Sequence, residues 1–279
     1  SMDQPAAKVP LKPKDYKSAL KPVWCPGCGD FAVLNAITKA LAFMELPRED
    51  VALITGIGCS SRIAAYTSLY GFHGVHGRAL ALASGLKAAR SDLTVLVAGG
   101  DGDGLSIGGN HFIHACRRNM NMTYIIMDNE VYGMTKGQAS PTTAPDWADS
   151  KLTPHGSGVR PFQPAGLALT AGASFIARGF TGDPNGLAKI LVAAMQHEGF
   201  SFVQALSPCP TFRPEQMQWK HHVRALEPEP TSDPVEAAQR IQADDGMSTG
   251  IIFQNRYPVF KPGTGMDSGM GSIESEFIL

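Results

Sequence analysis

The chain has 279 residues, of which 43% are hydrophobic and 18% charged, with 24 basic and 25 acidic side chains and a net charge of -1. That composition excludes the highly charged, apolar-poor disordered class, and the balanced charge excludes the basic surface of a dedicated nucleic-acid binder. No apolar run approaches the roughly 18 residues of a membrane span and the opening residues lack the apolar stretch of a secretory signal, so a cytoplasmic chain with no nucleic-acid and no membrane partner is expected.

Residues 1–22, rich in Pro and Lys and without periodicity, read as an extended N-terminal arm. Residues 30–44 read as a helix: Asp30 suits its N-cap, and Phe31, Leu34, Ile37, Thr38 and Leu41 make one apolar stripe. A short apolar strand follows over 51–54, then helices over 60–69 and 79–89 around a Gly- and His-rich loop. The strand over 93–98 runs into Gly99-Gly100-Asp101-Gly102-Asp103-Gly104, with a helix expected over 105–118. The next strand, 122–127, ends at Asp128-Asn129. Residues 132–163 hold many Gly, Pro, Ser and Thr and no periodic segment; an irregular stretch that long inside a compact domain is usually functional. The pattern resumes with a helix from Pro164 to about 171, a strand over 173–177, and a helix to about 197 that Asp183 caps, with Pro184 at its first position. A strand over 201–206 ends at Ser207-Pro208-Cys209-Pro210, and a helix over 234–244 and a strand over 249–253 precede a C-terminal tail, 257–279. Residues 23–256 are therefore expected to form one cofactor-binding domain.

Strands alternating with helices imply an α/β fold, a doubly wound, mostly parallel sheet with helices on both faces. Ligands of such sheets bind beyond the C-terminal ends of the strands. Cys59, the Gly/Asp loop, Asn129 and Cys209 all lie just after predicted strands.

The loop 100–104 lacks the third glycine of a dinucleotide fingerprint and the Lys-Ser/Thr of a Walker loop. Its glycines let backbone amides approach an anion where a helix begins, which suits a diphosphate. Asp101 would repel a bare anion, so a bridging cation is implied; Mg²⁺ takes carboxylate, amide, carbonyl and phosphate oxygens. Asn129, 28 residues further on, can add an amide oxygen.

Five cysteines, an odd number, in a chain without a signal suit a reduced setting, where thiols serve metals or catalysis more often than disulfides. Cys25-Pro26-Gly27-Cys28 is a C-x-x-C turn ahead of a helix, and Cys59 and Cys209 sit in loops after strands. Four thiolates from three loops would hold Zn²⁺ or a [4Fe–4S] cluster, and spacing alone leaves both open. Cys116, within a predicted helix, reads as a small core residue.

G-D-G followed after 25 to 30 residues by Asn resembles the thiamine-diphosphate motif. With KPVWCPGCGDF (21–31), TGIGCSSR (55–62), HGVHGRALALASGLK (73–87), GGDGDGLSIGGNH (99–111), DNEVYGMTKGQASPTT (128–143) and SPCPTF (207–212), the chain resembles the β subunit of a 2-oxoacid:ferredoxin oxidoreductase from 21 to about 256. The resemblance implies a thiamine-diphosphate-binding (PP-domain) fold and CoA-dependent oxidative decarboxylation of a 2-oxoacid, with 2-oxoglutarate to succinyl-CoA and CO₂ as the best match. Electrons would pass from a thiamine-bound enamine through one [4Fe–4S] cluster to ferredoxin. Pyruvate and branched-chain or aryl 2-oxoacids are the alternatives for substrate; a cluster-free thiamine enzyme and a zinc-stabilised scaffold are the alternatives for class.

Residue by residue, the resemblance implies Cys25, Cys28, Cys59 and Cys209 as cluster ligands and Asp101, Asn129 and the carbonyl of Val131 as Mg²⁺ ligands. It places Ser60, Gly100, Gly102 and Asp103 at the cofactor, and Ile57 as the apolar prop that bends it. Arg62 is the candidate for a substrate carboxylate, His76 for cofactor or substrate, with His73 and Arg78 weaker candidates in the same loop. Thr135, with Lys136 and Gln138, is expected near the diphosphate, and the other histidines are expected to be structural. An obligate α subunit, supplying the activating glutamate and assembling as (αβ)₂, is implied, together with ferredoxin, 2-oxoacid and CoA as partners.

Overall fold

Alternation along the strands builds two cores at once. Successive side chains of a strand point to opposite faces: on β4 (Met122–Asp128) Met122, Tyr124 and Ile126 pack into one core, and Ile125 and Met127 into the other. The same split holds for β1 (Val51–Thr55) and β3 (Thr94–Gly100). The computed structural model describes residues 10–227 and 229–261. The remaining strands are β2 (Tyr70–His73), β5 (Phe175–Phe180), β6 (Phe200–Leu206), β7 (Arg224–Ala225) and β8 (Ser248–Gln254). Among the described residues they form one eight-stranded sheet in the order β2-β1-β3-β4-β6-β5-β8-β7. All neighbours run parallel except β5 and β8.

Helices cover both faces. α1 (Asp30–Phe43) and α6 (Pro184–Gln196) pack on one; α2 (Ala79–Ala89), α4 (Gly109–Arg118), α5 (Pro164–Thr170) and α7 (Pro234–Ala243) pack on the other. The doubly wound, mostly parallel α/β fold expected from the sequence is the observed one. No helix among the described residues is long and apolar enough to cross a membrane.

The N-terminal arm contains a 3₁₀ turn, Pro13–Tyr16, and the fully buried Tyr16 donates its hydroxyl to the carbonyl of Leu46 at 2.6 Å, with that of Leu41 at 3.2 Å. Residues 1–9 and 262–279, the outer parts of the arm and of the tail, lie outside the described residues.

Four local expectations change. The helix expected over 105–118 is two: α3 (Asp101–Leu105) starts directly after β3, and α4 follows a break at Ser106–Gly108. The Gly/Asp loop is thus the first turn of a helix, where acidic side chains suit the dipole. In place of the helix over 60–69 there is a 3₁₀ helix, Ser60–Tyr66, and edge strand β2 follows it at Tyr70–His73, whose four residues are all exposed and so give no apolar alternation to read. Gly29, rather than Asp30, caps α1, and position 29 has no room for a side chain, since a Cβ there would lie 2.5 Å from the Ser207 hydroxyl. Asp30 is the buried first residue of the helix and accepts from that hydroxyl at 2.8 Å.

Candidate functional site

The C-terminal ends of β1, β3, β4 and β6 converge on one edge of the sheet. A cleft there takes Ile57 and Ser60 from beyond β1, His76 from the turn before α2, and Gly100, Asp101, Gly102 and Asp103 from the start of α3. Asn129, Val131 and Thr135 complete it from beyond β4. A cavity of about 640 Å³ lies elsewhere, between α6 and strands β7 and β8. Chemistry and convergence, rather than size, distinguish the strand-end cleft.

Asp101 is 2% exposed, and Oδ2 accepts from the hydroxyls of Ser140 and Thr142. The same Thr142 oxygen lies 2.9 Å from Oδ1 of buried Asp128, whose Oδ2 accepts from Gln204 Nε2 at 2.8 Å. A hydroxyl has one proton, so Thr142 cannot serve both carboxylates as anions, and the pair demands a proton or a cation. Burial pushes both acids above the usual carboxylate range, and the charge of Asp128 raises Asp101 further. Glu130, also lifted first by burial and then by Asp128, is pushed up to about 7 despite its ion pair with Arg213.

Asp103 is a brace. Its Oδ1 accepts from the backbone N–H of Ile57 at 2.9 Å and of Gly77 at 2.8 Å, tying two neighbouring loops to α3. Its Oδ2 is buried with no hydrogen-bond partner, as is Nδ1 of His76, which lies 3.6 Å from Oδ1. Gly102 must be glycine: a Cβ would sit 2.3 Å from the ring of Tyr132, whose hydroxyl donates to the Gly102 carbonyl. The Asn129 side-chain oxygen accepts from the N–H of Val131 at 3.1 Å and keeps a second lone pair.

The four expected cysteines come together beside this cleft. Cys28 N–H donates to the carbonyl of Cys25, closing the C-x-x-C turn, and Gly29 N–H reaches the Pro208 carbonyl at 3.2 Å. Trp24 donates its indole N–H to the carbonyl of Cys59 at 2.7 Å. A Cβ at Gly133 would stand 3.8 Å from Cys59 Sγ and 3.9 Å from Cys209 Sγ. Burial pushes the Cys28, Cys59 and Cys209 thiols up, Cys59 to about 11, and the negative charges of Asp30 and of neighbouring thiolates add to it. Among the described residues, no three His, Cys, Asp or Glu side chains form a ready nest for a single metal ion. Cys116 is fully buried in the core, as expected.

Other expected residues are placed differently. Arg62 is exposed on the 3₁₀ helix and does not line the cleft; its charge is a minor influence opposing the burial that raises the Cys59 pKa. Thr135 lines the cleft, but its hydroxyl donates to Gln138 at 2.5 Å. Lys136 is exposed and outside the cleft. The sequence reading missed Asp128, Ser140, Thr142, Gln204, Arg213 and Gln216. Only the length of the irregular 132–163 stretch pointed toward Ser140 and Thr142.

The thiamine pyrophosphate enzyme family, C-terminal TPP binding domain, matches residues 56–205. That stretch contains Cys59 but excludes Cys25, Cys28 and Cys209. A 2-oxoglutarate oxidoreductase subunit KorB from Mycobacterium tuberculosis is 51% identical over 75% of this chain and 56% of its own length. A 2-oxoglutarate synthase subunit KorB from Archaeoglobus fulgidus is 46% identical over 69% and 71%. A 2-oxoacid:ferredoxin oxidoreductase β subunit from Sulfolobus is 38% identical over 83% and 81%. The chain thus spans little more than half the length of the first relative. In the solved 2-oxoglutarate:ferredoxin oxidoreductase from Magnetococcus marinus, with 2-oxoglutarate, coenzyme A and succinyl-CoA bound, a chain 40% identical superposes with a TM-score of 0.86, covering 95% of this chain and 90% of that one.

Proposed function

Because the chain belongs to the family of 2-oxoacid:ferredoxin oxidoreductase β subunits, we propose that it is the β half of an enzyme converting 2-oxoglutarate and CoA to succinyl-CoA and CO₂, with ferredoxin as electron acceptor. The 2-oxoglutarate named for two KorB relatives and for the solved structure supports the choice of substrate. The observation that carries the reading is the buried Asp101–Asp128 pair sharing one hydroxyl at the strand ends, because a cation bound where a helix starts would let both carboxylates ionise.

Mg²⁺ fits that role. Asp101, the Asn129 amide and the Val131 carbonyl would hold it, and Ser140 and Thr142 keep Asp101 oriented. The amides at the start of α3 suit the diphosphate, and Gly102 keeps that approach open. Bound thiamine diphosphate supplies a nucleophilic carbon for the oxo group, and a [4Fe–4S] cluster on Cys25, Cys28, Cys59 and Cys209 supplies a one-electron acceptor beside it. Burial and the nearby negative charges keep the Cys28, Cys59 and Cys209 thiols protonated, so they need a cationic centre to ionise, which the iron of a cluster would provide. His76, half-exposed where it lines the cleft, is suited to contact the substrate, and Ile57 to support the cofactor ring. Asp103 fixes the loops that carry both.

Asp101 and Asp103, the carboxylates lining the cleft, each use an oxygen to brace the site. The family resemblance supports assigning the carboxylate that assists deprotonation at the cofactor to a partner α subunit, in an (αβ)₂ assembly. Five unpaired thiols suit a reducing, cytoplasmic setting.

The test is iron and sulfide analysis of anaerobically purified complex. Cys209→Ser is expected to lose most iron, as Cys25→Ser does, while Cys116→Ser keeps it. Zinc in place of iron, or iron loss confined to the Cys116 variant, overturns the cluster.

A further inference from the structure

The segment that follows β6 grips the turn that follows β4 by three consecutive carbonyls. Ser207 N–H donates to the Asp128 carbonyl at 2.9 Å, Gln216 Nε2 to the Asn129 carbonyl at 2.7 Å, and Arg213 Nη1 to the Glu130 carbonyl at 2.9 Å. The next carbonyl in line is that of Val131. The same segment carries Cys209, whose N–H donates to Gln216 Oε1 at 3.0 Å. Its carbonyl accepts from Arg213 N–H at 2.9 Å. Gln216 is 1% exposed. Its amide therefore uses both ends: the oxygen holds the loop of Cys209, and the nitrogen holds the turn of Asn129. An apolar side chain of equal volume would hold neither. A carboxylate would keep the first bond and face the Asn129 carbonyl with a like partial charge.

We propose that Gln216 is a positioning residue that couples the two cofactor sites, so that a filled cysteine site and a filled Mg²⁺–thiamine diphosphate site each tighten the other. The inference rests on the assignment of those two sites under Proposed function. Filling the cysteine site immobilises Cys209. Through the two ends of one amide, this orders the turn that presents Asn129 and Val131. The ordering is then already in place when the second cofactor binds. By linkage the effect runs equally in both directions.

The experiment uses the complex co-purified with its partner subunit, cluster-loaded and cluster-depleted, titrated calorimetrically with thiamine diphosphate in Mg²⁺. The loaded wild type is expected to bind about tenfold more tightly than the depleted form, within the usual span of site–site coupling. In Gln216→Met, with iron content retained, the ratio is expected to fall below about twofold. Gln216→Glu should behave like the Met variant, because the bond to Asn129 is the one it loses. Reciprocally, Mg²⁺–thiamine diphosphate should slow loss of iron to a chelator in the wild type and not in Gln216→Met. Equal affinity in the two wild-type forms overturns the coupling whether or not the variants fold, and an unchanged ratio in Gln216→Met overturns the role of Gln216. No Mg²⁺-dependent binding in either wild-type form overturns the reading of the site and the coupling with it.

Discussion

Two buried polar networks lie at opposite ends of the same strands. At the C-terminal ends, Asp101, Thr142 and Asp128 crowd two carboxylates onto one hydroxyl, and Asp103 and His76 leave buried atoms without partners. At the N-terminal ends, Asn119, Ser174 and His197 form a neutral network. Ser174 donates to Asn119 Oδ1 at 2.6 Å and lies 2.8 Å from His197 Nε2, and Phe200 N–H donates to the same Asn119 oxygen at 2.8 Å. The Asn119 nitrogen donates to the carbonyls of Tyr257 and Pro258. One network is frustrated by like charge; the other is satisfied by neutral donors and acceptors. Unresolved charge at a cleft is the mark of a site shaped for a ligand, whereas a fully paired neutral network serves stability.

Removing the charge from the frustrated network should cut the comparison most deeply. Asp101→Asn keeps an oxygen for Ser140 and Thr142 but removes the carboxylate that would meet Mg²⁺. Thiamine-diphosphate affinity in Mg²⁺ is expected to fall at least about 100-fold, the scale of losing one partner of a buried charge pair. The ligand-free chain should melt at a higher temperature, because the pair no longer has to take up a proton to relieve the repulsion of two buried carboxylates. Calorimetric titration and thermal unfolding of the same preparation check both. Unchanged affinity, or a lower melting temperature, would show that Asp101 belongs with the structural network instead.

The contrast also explains what could be read from the sequence. Strand ends were legible because apolar runs such as Leu93 to Ala98 stop abruptly at glycine. The Gly/Asp motif, the Asn129 spacing and the C-x-x-C turn were legible because each is local along the chain. Thr142, Gln204 and Gln216 were not: their bonds to Asp101, Asp128 and the Asn129 carbonyl span 41, 76 and 87 residues, and no local pattern marks them. Asp103 was visible as a residue of the cleft, but its bracing role was not, since its binding of Ile57 and Gly77 depends on how three loops fold together. The Asn119 network was invisible for the same reason.

The satisfied network should fail in the opposite way. Asn119 caps α4 in the left-handed region, φ 49°, which Asn tolerates better than Ala. Asn119→Ala strains that cap, strands the Phe200 N–H and takes from the Ser174 hydroxyl its shortest acceptor. A loss of about 2–4 kcal/mol in urea unfolding is expected, with thiamine-diphosphate affinity unchanged. Asn119→Gly relieves the backbone but not the bonds and should recover about 1 kcal/mol of it. If affinity fell in step with stability, the two ends of the strands would not be separable.

The smallest effect sharpens the comparison by pH. The Ser174 proton goes to Asn119, so His197 must donate its Nε2–H to the Ser174 oxygen, leaving Nδ1 unprotonated in the neutral ring. Burial lowers the pKa of His197 and the charge of Arg256 adds to this, against a smaller opposing pull from Glu198. The folded state therefore binds fewer protons at this site than the unfolded chain just below the ordinary histidine value, about 6.5. Stability from His197 is complete above that value and is lost as pH falls toward the depressed folded value. His197→Gln keeps a donor for Ser174 and removes the titration. The stability difference between wild type and variant, measured by urea unfolding, should shrink or reverse as pH falls from about 7 to about 5. Curves that stay parallel over that range would mean that His197 is not held neutral by the fold, and that the second network, too, carries unresolved charge.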